Sequence, residues 1–218
     1  TERCEAMRNF ANKIWNASRF LKMNLTIDHC ALPEKLELED KWILSKLNRC
    51  IPEVTENMDK YELGVAAQKI YDFIWDDYCY WYIEQVLCYV LTQMLKMLHP
   101  FMPFITEEIW QALPHEEGCQ AQFLMLDHWP QASEKLNFPA EEQAMEQIMD
   151  AIRAVRTRRS EMNVPPSKKA HLTVATDEGH VFALGVPFLK KMAYASDVTI
   201  VPADQAPEAA GMVCVVTH

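Results

Sequence analysis

Paired carboxylates are the first residues of this sequence that could do acid–base chemistry. They occur at Asp76–Asp77 and at Glu107–Glu108. Adjacent residues on a helix point about 100° apart, so neither pair can share a proton between its two carboxylates. The sequence has no glycine-rich phosphate-binding motif, and its five glycines leave little material for one. Since no nucleophile and base are combined either, the sequence predicts a chain without catalytic residues.

Metal ligation and disulfide formation are the next chemistry to consider, because the chain has seven cysteines. Their number is odd, none of them form a C-x-x-C pair, and no histidine pair has the spacing of zinc ligands. We therefore expect no metal site, and we expect reduced cysteines, several of them packed as small hydrophobic residues. No run of about 18 uncharged apolar residues is present, and the charged first residues differ from a signal peptide. These features predict a cytoplasmic protein without membrane contact.

The first 25 residues suggest a different chemistry, the recognition of unpaired bases. An apolar stripe with helical spacing predicts one long helix; its members are Met7, Phe10, Ala11, Ile14, Ser18, Leu21 and Leu25. The opposite face gathers amides, an arginine and apolar side chains, at Asn9, Asn12, Asn16, Arg19, Phe20 and Met23, with Arg8 and Trp15 at its border. Amides and guanidinium groups hydrogen-bond to base edges, and aromatic rings stack on bases. Judged by periodicity alone, packing against another helix or a neighbouring domain explains this face equally well.

The charge distribution limits how the chain could bind RNA. A net charge of −10 argues against non-specific binding, since contacts to phosphates supply most of that affinity. Two segments are basic: Thr1–Asn24 has five basic and two acidic residues, and Arg153–Lys169 has six basic residues and one acidic residue. In the second segment we expect phosphate contacts from Arg153, Arg156, Arg159, Lys168 and Lys169. Without further information, solvated helix faces are an equally good explanation.

Two prolines define a corner at the centre of the chain. Pro100 cannot continue a helix, so the apolar segment Val86–Leu98 should end near His99, and Pro103 can open the next helix. In that next helix we expect an apolar face formed by Phe104, Ile105, Ile109, Trp110 and Leu113. The histidine before Pro100 is then a packed or capping residue, not a base or a metal ligand.

The remaining pattern predicts a mainly α fold, an antiparallel helical bundle followed by a small α/β subdomain, with domains 1–162 and 163–218. We expect further helices over about 38–61, 63–82 and 139–159, with Tyr61 in the core, and an extended segment over 123–129. From His171 onward, β-branched runs surround one helical segment. This order predicts strands at His171–Ala175, Val198–Val201 and Met212–Thr217.

Three separated motifs resemble one family of enzymes. The segment His99–Trp110, HPFMPFITEEIW, resembles the anticodon-binding helical domain of class I aminoacyl-tRNA synthetases for branched aliphatic amino acids. Within that group, Arg8–Phe20, RNFANKIWNASRF, and Glu161–Lys169, EMNVPPSKK, are more similar to bacterial valyl-tRNA synthetases than to the isoleucyl or leucyl enzymes. The similarity extends over nearly the whole chain.

The resemblance implies an RNA-binding part of a ligase that attaches valine to tRNA(Val) with ATP. Its partners would be the anticodon stem-loop of tRNA(Val) and an upstream catalytic domain of the same protein. The His-x-Gly-His and Lys-Met-Ser-Lys-Ser elements of such enzymes are absent, and Pro165–Lys169 is interpreted as a basic linker. We therefore expect no cofactor in this chain, which we expect to be monomeric and to stop before the coiled-coil arm common in the family.

The sequence departs from the family's pattern at two places. Tyr80 stands where an acidic residue is usual, and Gln85 is followed directly by Val86 where a polar loop is usual, so we expect a loop to be missing there. The alternative function is a helical protein-interaction scaffold without an RNA role, in which the polar face of the first helix packs against a partner. The corresponding domain of an isoleucyl- or leucyl-tRNA synthetase is a further alternative.

Overall fold

The computed structural model describes residues 2–25, 27–78, 84–207 and 212–217. The chain divides into two compact units, Thr1–Pro139 and Ala140–His218. This division groups the long helix that begins at Pro139 with the α/β part. A functional domain boundary at Met162 remains a prediction.

The first unit is helical. Its α-helices are α1 (Glu2–Asn24), α2 (Leu38–Asp59), α3 (Leu63–Asp72), α4 (Glu84–Leu98) and α5 (Pro103–Gln111). A π-helix, Phe73–Asp77, continues α3, and two 3-10 turns, Leu124–Leu126 and Glu134–Leu136, follow α5. The expected single long helix over 63–82 is therefore interrupted, and residues 79–83 lie outside the described part of the chain.

Helix α4 is the centre of this unit, because it contacts α1, α2, α3 and α5. Its side chains are buried on every side of the helix, as expected for a helix that is apolar all round. These residues are Val86, Leu87, Cys88, Val90, Leu91, Met94, Leu95, Met97 and Leu98. The helix continues without interruption across Gln85 and Val86.

The predicted proline corner between α4 and α5 is confirmed. Helix α4 ends at Leu98, and Pro103 occupies the first turn of α5, where its missing N–H costs no hydrogen bond. A hydrogen bond of 2.8 Å joins His99 Nδ1 to the buried Thr106 Oγ1, whose hydroxyl lies 2.9 Å from the carbonyl oxygen of Met102. His99 thus ties the two helices together, the packing role predicted for it.

Three side chains predicted to be in the core are exposed. Met7 is 49% exposed, Tyr61 88% and Phe104 90%. Tyr61 follows the end of α2 with φ of 59°, which turns the chain away from the helical phase. Phe104 lies in the first turn of α5 on the same face as Glu108 and Gln111, which are also exposed. The prediction from helical spacing therefore extended each apolar stripe further than the part of the helix that is buried.

The second unit contains α6 (Pro139–Glu161), β1 (Ala170–Ala175), α7 (Gly179–Leu184), α8 (Val186–Met192) and β2 (Ala195–Val201). The two strands pair in parallel, with Leu172 opposite Val198 and Val174 opposite Ile200. The predicted strand, helix and strand order is confirmed up to this point. Residues 212–217 have no regular secondary structure, so the third predicted strand is wrong.

A close contact joins α6 to the α7–α8 junction. A Cβ atom at Gly185 would lie 2.7 to 2.9 Å from three side-chain atoms of Ile148, which is buried on α6. Only glycine therefore allows this approach.

The extended segment predicted for 123–129 is corrected, because it contains the 3-10 turn Leu124–Leu126, in which Leu124 alone is buried. The mainly α fold with a small α/β part is confirmed.

Among the described helices, none is both long and apolar enough to cross a membrane.

Candidate nucleic-acid interface

Helix α1 presents the polar face predicted from the sequence. Phe10, Ile14, Ser18 and Leu21 are buried on one side of the helix. On the other side Asn12, Asn16 and Arg19 are exposed, together with half of the Phe20 side chain and 37% of Trp15. The predicted helical phase is confirmed, and the face has one guanidinium, two amides and two partly exposed aromatic rings. Its role in binding RNA remains a prediction.

A series of aromatic contacts that the sequence did not predict borders this face. Lys13 Nζ lies 3.4 Å from the centroid of the Trp75 ring and donates a 2.9 Å hydrogen bond to the Trp75 carbonyl oxygen. Trp75 in turn stacks on Tyr71, with ring centroids 5.6 Å apart, and Tyr71 contacts Phe10 at 4.7 Å. These contacts join α1 to α3 and to the π-helix that follows it. No local pattern could have revealed them, because Lys13 and Trp75 are 62 residues apart.

The π-helix that carries Trp75 is itself anchored. Lys46 on α2 forms a 3.1 Å ion pair with Asp77, and both side chains are largely buried. Phe73 and Ile74 are buried in the core of this unit, while Trp75 remains about one-third exposed. π-helical turns are rare and often occur at functional sites. Tyr78, which follows the π-helix, is also buried, and residues 79–83 lie outside the described part of the chain.

The basic segment of the second unit is less free than its charge suggests. Arg153 pairs with Asp150 at 2.8 Å and Arg158 pairs with Glu161 at 3.0 Å, both in exposed i, i+3 pairs of the kind that contribute little stability. Arg159 donates from Nη2 to the carbonyl oxygens of Pro165, at 3.1 Å, and Lys168. Arg159 therefore holds the loop after α6 in place.

A cavity of about 230 Å³ lies beside this loop. Its lining consists of Arg156, Arg159, Ser160, Val164, Pro166 and Tyr194. The guanidinium of Arg159 lies 5.7 Å from the centroid of the Tyr194 ring. The structure thus brings Arg156 and Arg159 together at one site, whereas Arg153 is not among the residues that line it and Lys168 and Lys169 are exposed. Sequence reasoning missed Tyr194, which is 35 residues beyond Arg159 and follows α8.

A polar cluster in the first unit has a structural role. Lys96, almost fully buried, bridges Asp127 at 3.0 Å and Glu116 at 3.2 Å. Burial alone would lower the pKa of Lys96, but the hydrogen bond to Asp127 and the charge of Glu116 outweigh it, so this pKa lies above its ordinary value. A lysine held charged in this way ties α4 to two loops and cannot act as a base at neutral pH.

Three thiols among the described residues are buried in the first unit. Cys30, Cys50 and Cys88 are buried, and burial raises the pKa of Cys50 to about 12, so its thiol is protonated and unreactive at neutral pH. Over the residues that the structure describes, no group of three histidine, cysteine or acidic side chains could hold a metal ion. The α1 face and the basic cavity are the surfaces whose groups match those that the sequence predicts to bind RNA.

Comparison with known proteins identifies the class. Residues 40–174 match the family described as the anticodon-binding domain of tRNA ligase. This match covers more than half of the chain, so the chain belongs to the family of anticodon-binding domains of tRNA ligases.

The similar proteins are more specific. A valine–tRNA ligase from Clostridium acetobutylicum is 45% identical over 95% of this chain. Those from Clostridium perfringens and Oceanobacillus iheyensis are 46% and 39% identical over 91% and 99% of it. This chain spans 26%, 25% and 27% of these relatives, or about a quarter of their length. The similarity to valine–tRNA ligases predicted from the three motifs is confirmed.

Proposed function

We propose that this chain is the anticodon-recognition part of a valine–tRNA ligase and that its ligand is the anticodon stem-loop of tRNA(Val). The observation that carries the proposal is the 45% identity to a valine–tRNA ligase over 95% of the chain. The activation of valine with ATP and its transfer to tRNA would then belong to a catalytic domain upstream in the same protein. ATP is accordingly a cofactor of the parent ligase, which we propose to be cytoplasmic and monomeric.

The α1 face supplies the groups that base recognition needs. Arg19 and Asn16 hydrogen-bond to the edges of anticodon bases, and Phe20 or Trp15 stacks on an unstacked base. Phe20, half exposed, offers more of its ring than Trp15, which is 37% exposed. Asn12 extends the same face by one turn. The family match begins at residue 40, so the role of α1 is supported by the valine–tRNA ligases, whose similarity covers nearly the whole chain.

The basic segment of the second unit contacts the RNA backbone. Arginine and lysine side chains bind phosphates without reading sequence, so this part contributes affinity and not discrimination. The residues concerned are Arg153, Arg156, Arg159, Lys168 and Lys169. The net charge of −10 repels RNA elsewhere, which confines binding to these surfaces and orients it.

The test is binding of the 218-residue chain to two transcripts, the anticodon stem-loop of tRNA(Val) and the same hairpin with a non-valine anticodon. We expect weak binding that falls as salt rises, with a preference for the valine anticodon. Binding without preference would support phosphate contacts alone and overturn the recognition role. Absence of salt-dependent binding to either transcript would favour a protein-interaction scaffold instead.

A further inference from the structure

The basic cavity of the second unit combines cationic and hydroxyl groups with the apolar side chains of Val164 and Pro166. Two guanidinium groups, from Arg156 and Arg159, line it together with the hydroxyl-bearing residues Ser160 and Tyr194. Its volume of about 230 Å³ exceeds what a phosphate group with several water molecules requires, since one water occupies about 30 Å³ in the liquid. No acidic side chain is among the residues that line it.

The cationic wall of the cavity is held in position before any ligand arrives. Arg159 uses Nη2 to bind the Pro165 and Lys168 carbonyl oxygens, and its guanidinium lies against the Tyr194 ring. A guanidinium has five N–H donors, so these bonds leave donors on its other nitrogens. Fixing the side chain in advance lowers the entropy that is lost when a ligand binds.

The end of α6 would repel an anion if its carbonyl groups were open, because the last turn carries a partial negative charge. Three of them accept hydrogen bonds from the residues that follow the helix. Met162 N donates to Arg158 O at 3.1 Å, Asn163 N to Ser160 O at 3.0 Å, and Val164 N to Arg159 O at 2.9 Å. The positive charges of Arg156 and Arg159, which line the cavity, oppose the partial negative charge that remains at this helix end.

Two residues with left-handed backbone conformation lie at this place. Asn163 has φ of 54° and follows α6, and Tyr194 has φ of 56° and directly precedes β2. Such a conformation is uncommon for a residue with a side chain, and for a bulky one such as tyrosine it is strained. At position 194 this backbone accompanies a phenol ring placed against Arg159.

We propose that this cavity binds a single phosphate group through Arg156, Arg159, Ser160 and Tyr194. We assign this phosphate to a phosphodiester of the RNA backbone, and in this respect the proposal rests on the proposed function. Tyr194 is the residue that this proposal adds, because it lies outside the basic segment Arg153–Lys169 and outside the three sequence motifs. The second possible source of the same chemistry is a small phosphorylated molecule, represented in the test by inorganic phosphate.

The first experiment measures phosphate binding without RNA. The Nε–Hε signals of the arginines in the 218-residue chain are followed by NMR while inorganic phosphate is added at constant ionic strength. We expect saturable shifts of Arg156 and Arg159 in the unmodified chain. The phosphate affinity, followed in the variants through Arg159, should be weaker by about tenfold in Arg156→Gln and by a few-fold in Tyr194→Phe. Equal, non-saturating shifts of all arginines would overturn the proposal.

The second experiment measures the affinity of the same variants for the valine anticodon stem-loop. Arg158→Gln is the matched control, because it removes the same charge from the same turn of α6 but pairs with Glu161 outside the cavity. We expect Arg156→Gln to weaken binding by about tenfold and Arg158→Gln by less than about threefold. Equal losses in the two variants would mean diffuse attraction and no site. Tyr194→Phe, which keeps the ring, reports on the site even if Arg156→Gln disturbs folding.

The two proposals fail in different ways. If Arg156→Gln and Arg158→Gln behave alike while the valine anticodon is still preferred, the cavity proposal fails and the proposed function stands. If Arg156→Gln and Tyr194→Phe weaken valine and non-valine stem-loops equally and no preference exists, the cavity binds RNA phosphate and the recognition role fails. A phosphate-dependent shift with unchanged RNA affinity supports the site and assigns it to a small phosphate.

Discussion

The exposed side chains at the C-terminal half of α1 are the residues on which discrimination between anticodons should depend. Arg19→Ala and Phe20→Ala should each remove on the order of 1 to 3 kcal/mol from binding of the valine anticodon stem-loop, the range measured for single base contacts. In the full-length ligase, aminoacylation of tRNA(Val) should fall while valine activation by ATP stays unchanged. Binding is measured with both stem-loops, and activation by pyrophosphate exchange.

Controls for these two substitutions are available elsewhere in the first unit. Lys35→Ala removes a highly exposed positive charge, and Phe104→Ala removes a ring that is more exposed than Phe20. Both should leave anticodon preference unaltered. If the preference survives Arg19→Ala and Phe20→Ala, or if either substitution unfolds the chain, the α1 face is a packing surface.

Trp110 is a core residue, in contrast to the exposed side chains of α1. It is 1% exposed and stacks on His115, with ring centroids 3.9 Å apart. Trp110→Ala should lower the free energy of unfolding by ~3 to 5 kcal/mol, because it removes a large buried side chain and leaves a cavity. Phe104→Ala on the same helix should change stability by less than about 0.5 kcal/mol. Denaturant unfolding of both variants checks this, and a small effect of Trp110→Ala would show that the site collapses around the missing ring.

Alanine substitutions at two glycines distinguish the effect of packing between helices from the effect of helix propensity. Gly185→Ala should destabilise the second unit by about 1 to 3 kcal/mol, because its Cβ would meet three atoms of Ile148 within 2.9 Å. Gly64→Ala, in the first turn of α3 with nothing within 4 Å of the new Cβ, should be neutral or stabilising by up to about 1 kcal/mol. Thermal unfolding distinguishes the two, and equal effects would contradict the close contact between α6 and the α7–α8 junction.

The Lys96 cluster joins α4 to the loops that carry Glu116 and Asp127. Lys96→Met should cost about 3 kcal/mol, because it leaves the largely buried Asp127 without a counter-charge. Because the pKa of Lys96 is higher in the folded than in the unfolded chain, its stabilising contribution is complete below roughly pH 10.4 and is lost as the pH rises through the folded value. The free energies of unfolding of the unmodified chain and of Lys96→Met, measured at neutral and alkaline pH, should therefore converge at high pH. A difference that stays constant with pH would contradict a charge-dependent role of Lys96.

For the whole molecule, affinity and specificity for tRNA should be separable. Replacing Arg156 and Arg159 with Gln should weaken binding of any tRNA about equally and should flatten the plot of log affinity against log salt concentration by roughly one or two units. Binding is measured at several salt concentrations with valine and non-valine tRNAs. Since Arg159 also fixes the loop after α6, the thermal unfolding of the variant is compared with that of the unmodified chain. An unchanged slope would mean that these arginines are purely structural.

Features that depend on local geometry could be predicted from the amino-acid sequence alone. Pro100 and Pro103 set the end of α4 and the start of α5, because proline's ring and missing N–H act within one turn. The 3.6-residue period identified which side of α1 is buried, and β-branched runs located β1 and β2. The three motifs identified the family before any comparison. These signals are short-range, so they can be read without knowing what lies beside them.

The packing of the elements sets which parts of each pattern are covered and which distant residues meet. Phe104 and Tyr61 fit an apolar period yet are exposed, because none of the elements in the described part of the chain packs over them. Tyr194 joins Arg159, and Trp75 joins Lys13, through contacts between residues 35 and 62 positions apart in the chain. Periodicity specifies the direction of a side chain on its own helix but not its partner, since the partner is chosen by the packing of whole elements.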